Sequence, residues 1–217
     1  MVVCKLIDHT NLNPDARLSD IRKLCDEAKF YGFYSVCVNP CYVKICKQML
    51  EGSDVKVCTV VGFPLGANTI ALKAEEAAQA VADGADEVDM VQNITMAKEH
   101  DWKYIANEVY RVKQACGDKV LKVILENCYL DAHEIEMSCR AACEGGCDFV
   151  KTSTGFGKSG AKVEDVKLMR KTVGPYIGVK AAGGIHTYEE LRALVKAGAN
   201  RIGCSKSVPI AESLRDN

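Results

Sequence analysis

The chain has 217 residues, with 28 Lys plus Arg against 29 Asp plus Glu and a formal net charge of −1. That length suits one large core, and the even charge balance excludes the basic excess that nucleic acid or an acidic membrane would call for, leaving small neutral or anionic metabolites as the natural partners. Asp8 interrupts the N-terminal sequence before any apolar stretch reaches signal-peptide length, and no run approaches the roughly 20 residues of a membrane span, so a cytosolic chain is expected.

In chain order, LID at 6–8 is the first candidate strand, followed by Asn13-Pro14 as an expected helix N-cap with proline behind it. YSVCVN at 34–39 and KVCTVVG at 56–62 are the next apolar runs, and Asn68 precedes the alanine-rich segment TIALKAEEAAQAVA. EVDMVQ at 87–92 is followed by a long connection, 93–119, with room for two short helices or one long one. VLKVILE at 120–126, DFVKT at 148–152, IGVKAA at 177–182 and RIGC at 201–204 complete eight strands, with capping-box spacings at Asp131 to Glu134 and Thr187 to Glu190. Glycines 32, 84, 146 and 198 each end an amphipathic segment just before an apolar run, where a left-handed helix terminus is expected. Most strands are near-continuous and β-branched, as parallel strands covered on both faces require. Eight strand-then-helix units in one chain describe an α/β fold, a (β/α)8 TIM barrel spanning 1–217 as a single domain. An open doubly wound sheet is the alternative, but no GxGxxG follows the first strand to support its dinucleotide-binding form.

Twelve cysteines are scattered from Cys4 to Cys204 without a CxxC pair. The tightest cluster, Cys139, Cys143 and Cys147, has no identifiable fourth ligand and is read as core packing in a reducing compartment, so no metal is expected.

Charges inside apolar strands carry the functional signal. Asp89 lies in the fourth run, Lys122 and Glu126 in the fifth, Lys151 in the sixth and Lys180 in the seventh. In a barrel, side chains alternate inward and outward and function gathers at the C-terminal ends of strands, so these charges should converge. The competing reading is a buried ion-pair network that only stabilises, although such networks seldom repay their desolvation. Two converging ammonium groups repel, which disfavours the charged form of at least one and yields a nucleophilic amine. That amine and a carbonyl give an iminium, an electron sink for the neighbouring carbon–carbon bond, with a carboxylate such as Asp89 relaying the proton of a β-hydroxyl. Spacing alone does not say which lysine forms the covalent bond. Glycine-rich turns after the last two strands, Gly183-Gly184 before one capped helix and Gly203, Ser205 and Ser207 before another, point to a phosphate site and a phosphorylated sugar substrate.

The stretches LIDHTNLNP, VCVNP, VVGFPLG, GADEVDMV, LKVILE, FVKTSTGF, KAAGGI and RIGCS, in this order across nearly the whole chain, resemble the class I deoxyribose-phosphate aldolases. The resemblance implies a TIM barrel without cofactor or metal that reversibly cleaves 2-deoxy-D-ribose 5-phosphate to D-glyceraldehyde 3-phosphate and acetaldehyde in deoxyribonucleoside catabolism. It also implies a homo-oligomer, a dimer in the first instance. By resemblance Lys151 is the Schiff-base lysine, Lys180 the second lysine and Asp89 the relay carboxylate. Asp8, Lys122 and Thr154 are expected to shape the pocket, and Gly155, Gly183, Gly184, Gly203 and Ser205 to hold the phosphate. Cys37 matches a cysteine near the family's site, with strand packing as its other reading.

Two departures stand out. Lys206 follows Ser205 where family members often carry a second small residue, and it either adds a point charge to the phosphate or faces solvent. The sequence ends at LRDN, without the C-terminal tyrosine that assists enamine protonation in some members, which leaves that step to Lys180, Asp89 and water. Rival functions are another Schiff-base aldolase of transaldolase or keto-acid type, and a non-catalytic phosphosugar-binding barrel.

Overall fold

A computed structural model describes residues 3–214; the reading of the C-terminal end therefore falls mostly on residues 215–217, outside the described part. Eight parallel strands close into a barrel in sequence order. They are β1 (Ile7–Asn11), β2 (Ser35–Val38), β3 (Lys56–Val61), β4 (Glu87–Val91), β5 (Val120–Ile124), β6 (Phe149–Lys151), β7 (Gly178–Ala182) and β8 (Arg201–Cys204). β8 returns to β1 with Gly203 opposite Asp8 and closes the ring. The helices are α1 (Leu18–Tyr31), α2 (Val43–Met49), α3 (Ile70–Ala82), α4 (Ile94–Lys98), α5 (Trp102–Cys116), α6 (Ala132–Glu144), α7 (Val163–Val173), α8 (Tyr188–Ala197) and α9 (Ser207–Ser213). Outward residues of the strands, such as Val36, Val57, Val88, Leu121, Val150, Val179 and Ile202, are buried against this helical shell in one continuous apolar core. Full burial of such a side chain contributes about 1.5–3 kcal/mol. Among the described residues, no helix is long and apolar enough to cross a membrane.

Local chemistry explains the boundaries. The boxes at Asp131–Glu134 and Thr187–Glu190 form as their spacing predicts, the N-cap oxygen accepting the N–H three residues on and Glu accepting back. Asn68 is displaced by its neighbour: Thr69 caps α3. Connection 93–119 holds one short helix and one long one, α4 and α5. The N-cap expected at Asn13 is not one. Asn13 and Pro14 lie in a turn in which Ala16 N–H donates to the Asn13 carbonyl, and α1 starts only at Leu18, with Asp20 accepting the Arg17 N–H at 2.8 Å. The chain leaving β1 must first turn back across the barrel's end, and the Asn-Pro pair serves that turn.

The N-terminal end of the barrel is closed by its own side chains. Arg201, first in β8, lies 3.5 Å over the Tyr34 ring and 5.3 Å from that of Phe149. Gly178 beside it has no room for a side chain, since a Cβ there would stand 2.1 Å from the Phe149 ring.

Candidate active site

The inward residues of β1, β4, β5, β7 and β8 form a closed loop of alternating charge. Asp89 accepts from Lys122 through Oδ1 and from Lys180 through Oδ2, both at 2.8 Å. Lys180 also reaches Asp8 Oδ2 at 2.5 Å, and Asp8 Oδ1 accepts from Arg201 at 3.0 Å. Arg201 continues to Glu87 at 2.8 Å, and Glu87 to Lys122 at 2.6 Å, which returns to Asp89. Three carboxylates and three cations thus balance inside the barrel. Lys151 stands outside that balance as a seventh group, its Nζ 2.8 Å from the same Asp89 oxygen that receives Lys180.

Burial and charge decide the protonation of this ring. Desolvation opposes the ionised form of Asp89, but Lys122, Lys151 and Lys180 outweigh it and hold the carboxyl well below its ordinary range. Asp8 is likewise held down against burial by Lys180, Arg201 and Lys122. Burial works against the ammonium of Lys180, yet Asp8 and Asp89 raise it above the ordinary lysine range; Lys122 is raised mainly by Asp89 against the same penalty. The mutual repulsion expected between two lysines is therefore overcome at Lys180, which stays charged between two carboxylates. Lys151 has one carboxylate partner and is the last residue of β6, at the C-terminal end where the barrel opens.

Of the residues singled out from sequence, Asp8, Asp89, Lys122, Lys151 and Lys180 come together here. Glu87 and Arg201, which complete the ring, were missed. Their signal was parity: each stands two residues before an inward position, Asp89 and Gly203, and so shares its face. Gly203 is pressed by Lys180, whose Cε a Cβ there would meet at 2.9 Å, so its first structural duty is room for that lysine.

Above the ring, the loops that follow β5, β6 and β7 lock together. Thr152 Oγ1 donates to the Ala182 carbonyl and accepts its N–H, both at 3.1 Å. Glu126 is buried with a left-handed backbone, φ 56°. Its carboxylate accepts the Thr154 N–H at 3.2 Å and, in a short contact, the Thr154 hydroxyl, which in turn accepts the Phe156 N–H at 3.0 Å. Thr154 is thus held by Glu126, a carboxylate that strand position flagged without giving it a task. Gly160 approaches Gly183 so closely that a Cβ would lie 2.0 Å from the Gly183 oxygen. Gly155, Gly184, Ser205 and Lys206 are exposed at this end, with Gly183 half-buried among them. Phe156 meets Phe63 edge to face at 5.4 Å across the opening.

The opposite wall is apolar and thiol-rich. Leu12, Cys37, Cys58 and Val60 cluster with Phe63 inside the barrel, separate from the main core. Cys37 and Cys58 are register partners on β2 and β3, and Cys58 Sγ lies 3.2 Å from Asp89 Oδ1 and 3.4 Å from Lys122 Nζ. Ligand atoms of Cys37, Cys58 and Asp89 lie within 4.8 Å of one another, as do those of Asp8, Cys58 and Glu87. An amine beside a carboxylate, backed by a fixed ammonium and facing an apolar wall, is equipped for iminium chemistry on a small carbonyl compound.

Comparison with known proteins agrees. The sequence model of the DeoC/LacD family aldolases matches residues 2–205. The chain is 57% identical over 215 residues to a deoxyribose-phosphate aldolase of Thermoanaerobacter sp. (strain X514), covering 98% of this chain and 96% of that one. It is 54% identical over 217 residues to that of Lactococcus lactis subsp. lactis (strain IL1403), covering 100% and 99%. Among solved structures, the tetrameric deoxyribose phosphate aldolase from Aeropyrum pernix superposes with a TM-score of 0.88 at 34% identity, covering 98% of this chain and 91% of that one.

Proposed function

The chain belongs to the DeoC/LacD family of aldolases, and from that premise we propose that it reversibly cleaves 2-deoxy-D-ribose 5-phosphate to D-glyceraldehyde 3-phosphate and acetaldehyde, with Lys151 as the Schiff-base residue. The observation that carries the assignment is the shared Asp89 oxygen: Lys151 and Lys180 both rest on it at 2.8 Å, and only Lys180 has a second carboxylate to keep it charged.

The unprotonated Lys151 amine adds to the aldehyde carbon of the open-chain sugar, and loss of water from the carbinolamine leaves an iminium. Asp89, directly or through water, takes the proton of the hydroxyl two carbons away while the intervening bond breaks and its electrons flow into the iminium. Lys180 remains an ammonium throughout and holds Asp89 in place. Glyceraldehyde 3-phosphate departs, the enamine on Lys151 is protonated, and hydrolysis releases acetaldehyde. Phosphate is held at the turn N–H groups of Gly155, Gly183, Gly184 and Ser205, with Gly203 behind them and Lys206 at the rim. This remote grip supplies orientation worth on the order of 7 kcal/mol in favourable cases. Asp8 and Lys122 fix the carboxylate frame, and Thr154 shapes the wall beside Lys151. Cys37 lines the acetaldehyde side. No metal or cofactor takes part in this scheme.

The apolar wall of Leu12, Cys37, Cys58 and Val60 supports a small, uncharged donor such as acetaldehyde over a keto acid, which distinguishes this reading from a pyruvate-type or transaldolase-like enzyme. We place the protein in the cytosol, where thiols stay reduced, as a homo-oligomer of at least two copies, to be checked by light scattering. The deciding experiment is borohydride reduction in the presence of acetaldehyde: an ethyl adduct is expected on the peptide containing Lys151. A label on Lys180 alone reverses the two lysines, and no label with acetaldehyde, pyruvate or dihydroxyacetone leaves a binding barrel without turnover.

A further inference from the structure

Cys58 is fully buried, touches Asp89 and Lys122, and has no part in the chemistry above. Its register partner Cys37 is inward-facing and buried as well, and the two sulfurs lie within 4.8 Å of one another. A bridging ion can join these thiols without any change of oxidation state. Two Zn–S bonds of about 2.3 Å at a tetrahedral angle place their sulfurs about 3.8 Å apart, inside the 4.8 Å that joins the ligand atoms of Cys37, Cys58 and Asp89. The Cys58 Sγ to Asp89 Oδ1 separation is 3.2 Å, which a Zn–S bond and a Zn–O bond of about 2.0 Å span at an angle near 95°.

We propose that Cys37, Cys58 and Asp89 form a capture site for Zn2+ and that the captured ion inhibits the enzyme by occupying the carboxylate on which Lys151 and Lys180 rest. This rests on the role of Asp89 in the proposed reaction. Each thiol gives its proton to water as its sulfur bonds the ion, and nothing changes oxidation state. The two thiolates cancel the charge of the ion, so no net charge is added beside the lysines. A fourth position stays open to water. Because both thiols are buried, the ion enters through the open end of the barrel and inhibition develops over time. Cys25, Cys46, Cys143 and Cys147 belong to the main apolar core rather than to the cluster inside the barrel; an ion held there leaves turnover untouched.

The test is Zn2+ added alone to the full-length, chelator-treated protein, with deoxyribose 5-phosphate cleavage followed over time. Co2+ is used in parallel for its thiolate charge-transfer absorption. Equimolar Zn2+ is expected to lower cleavage roughly a hundredfold or more, as loss of a proton acceptor does, with recovery on adding EDTA. Cys58→Ala and Cys37→Ala should each lose part of the Co2+ band, and their rates with Zn2+ should match their own metal-free rates. Undiminished inhibition in both variants overturns the proposal, and so does a wild-type chain that shows the Cys37- and Cys58-dependent band yet cleaves at full rate. Absence of that band overturns it independently of any assay. A metal-free protein without turnover would instead overturn the reaction assignment, while the band still reports the site.

Discussion

Two buried lysine systems sit in this molecule, and they teach opposite lessons. Lys73 on α3 is fully enclosed, donating to Glu108 on α5 at 2.6 Å and to the Val91 carbonyl at 2.7 Å. Glu108 also accepts the Asn93 N–H, so the pair clamps the end of β4 from outside the barrel. Burial pulls Lys73 below its ordinary range and pushes Glu108 above its own, despite their pairing. Inside the barrel the balance is reversed: at Lys180 the carboxylates win over burial. A depressed lysine is therefore no mark of catalysis by itself. What separates the two is surroundings: Lys73 lies between helices, whereas Lys151 ends a strand beneath the glycine turns at the open end of the barrel.

The largest effect should come from Lys151→Met, which is expected to remove cleavage by roughly four orders of magnitude or more. Its melting temperature should stay near that of the parent, because the balanced ring of six charges does not include it. Asp89→Asn is expected to lower turnover about 10²- to 10⁴-fold. It also strips a counter-charge from three ammonium groups, so calorimetry should show lost stability. Adding Lys122→Met should recover part of the melting temperature and none of the rate. Lys73→Met reverses the pattern. Leaving Glu108 buried and unpaired should cost about 3–5 kcal/mol in urea unfolding, with turnover per folded molecule within about threefold; a loss as deep as that of Asp89→Asn would erase the distinction between the two systems. Glu126→Ala should lower kcat/KM roughly tenfold through misplacement of Thr154, with partial rescue by Glu126→Gln and unchanged borohydride labelling of Lys151.

The smallest effect is in acid. Asp8 and Asp89 are held below their ordinary value of 3.8, so the unfolded chain binds protons first as pH falls. Their stabilisation is whole above that value and is lost as pH drops toward the folded values. A plot of melting temperature against pH should therefore slope less steeply below about pH 3.8 in Asp89→Asn than in the parent.

Much of this was legible in the sequence, because strand composition and the alternation of faces are local properties. The eight strands fall within a residue or two of their expected bounds, apart from β1, where His9, Thr10 and Asn11 extend a run expected to stop at Asp8. Asp89, Lys151 and Lys180 stood out as charges inside apolar strands and meet at one oxygen. What escaped notice depends on long-range partners. Nothing local to Lys73 announces Glu108, which α5 brings over it, and nothing local to Cys58 announces Asp89, which β4 sets beside it. That Lys180 keeps its proton depends in part on Asp8, which is 172 positions away in the chain but 2.5 Å away in space.

With Tyr34, Arg201 and Phe149 stacked across its base, the barrel is a vessel that opens toward the glycine turns at its other end. With Lys151 as the proposed Schiff-base residue, traffic through it would queue: the two-carbon fragment bonded there would lie beneath the phosphorylated one and leave only after it. In the synthetic direction the order inverts, with acetaldehyde loaded before its larger partner, so the sequence of binding follows from architecture.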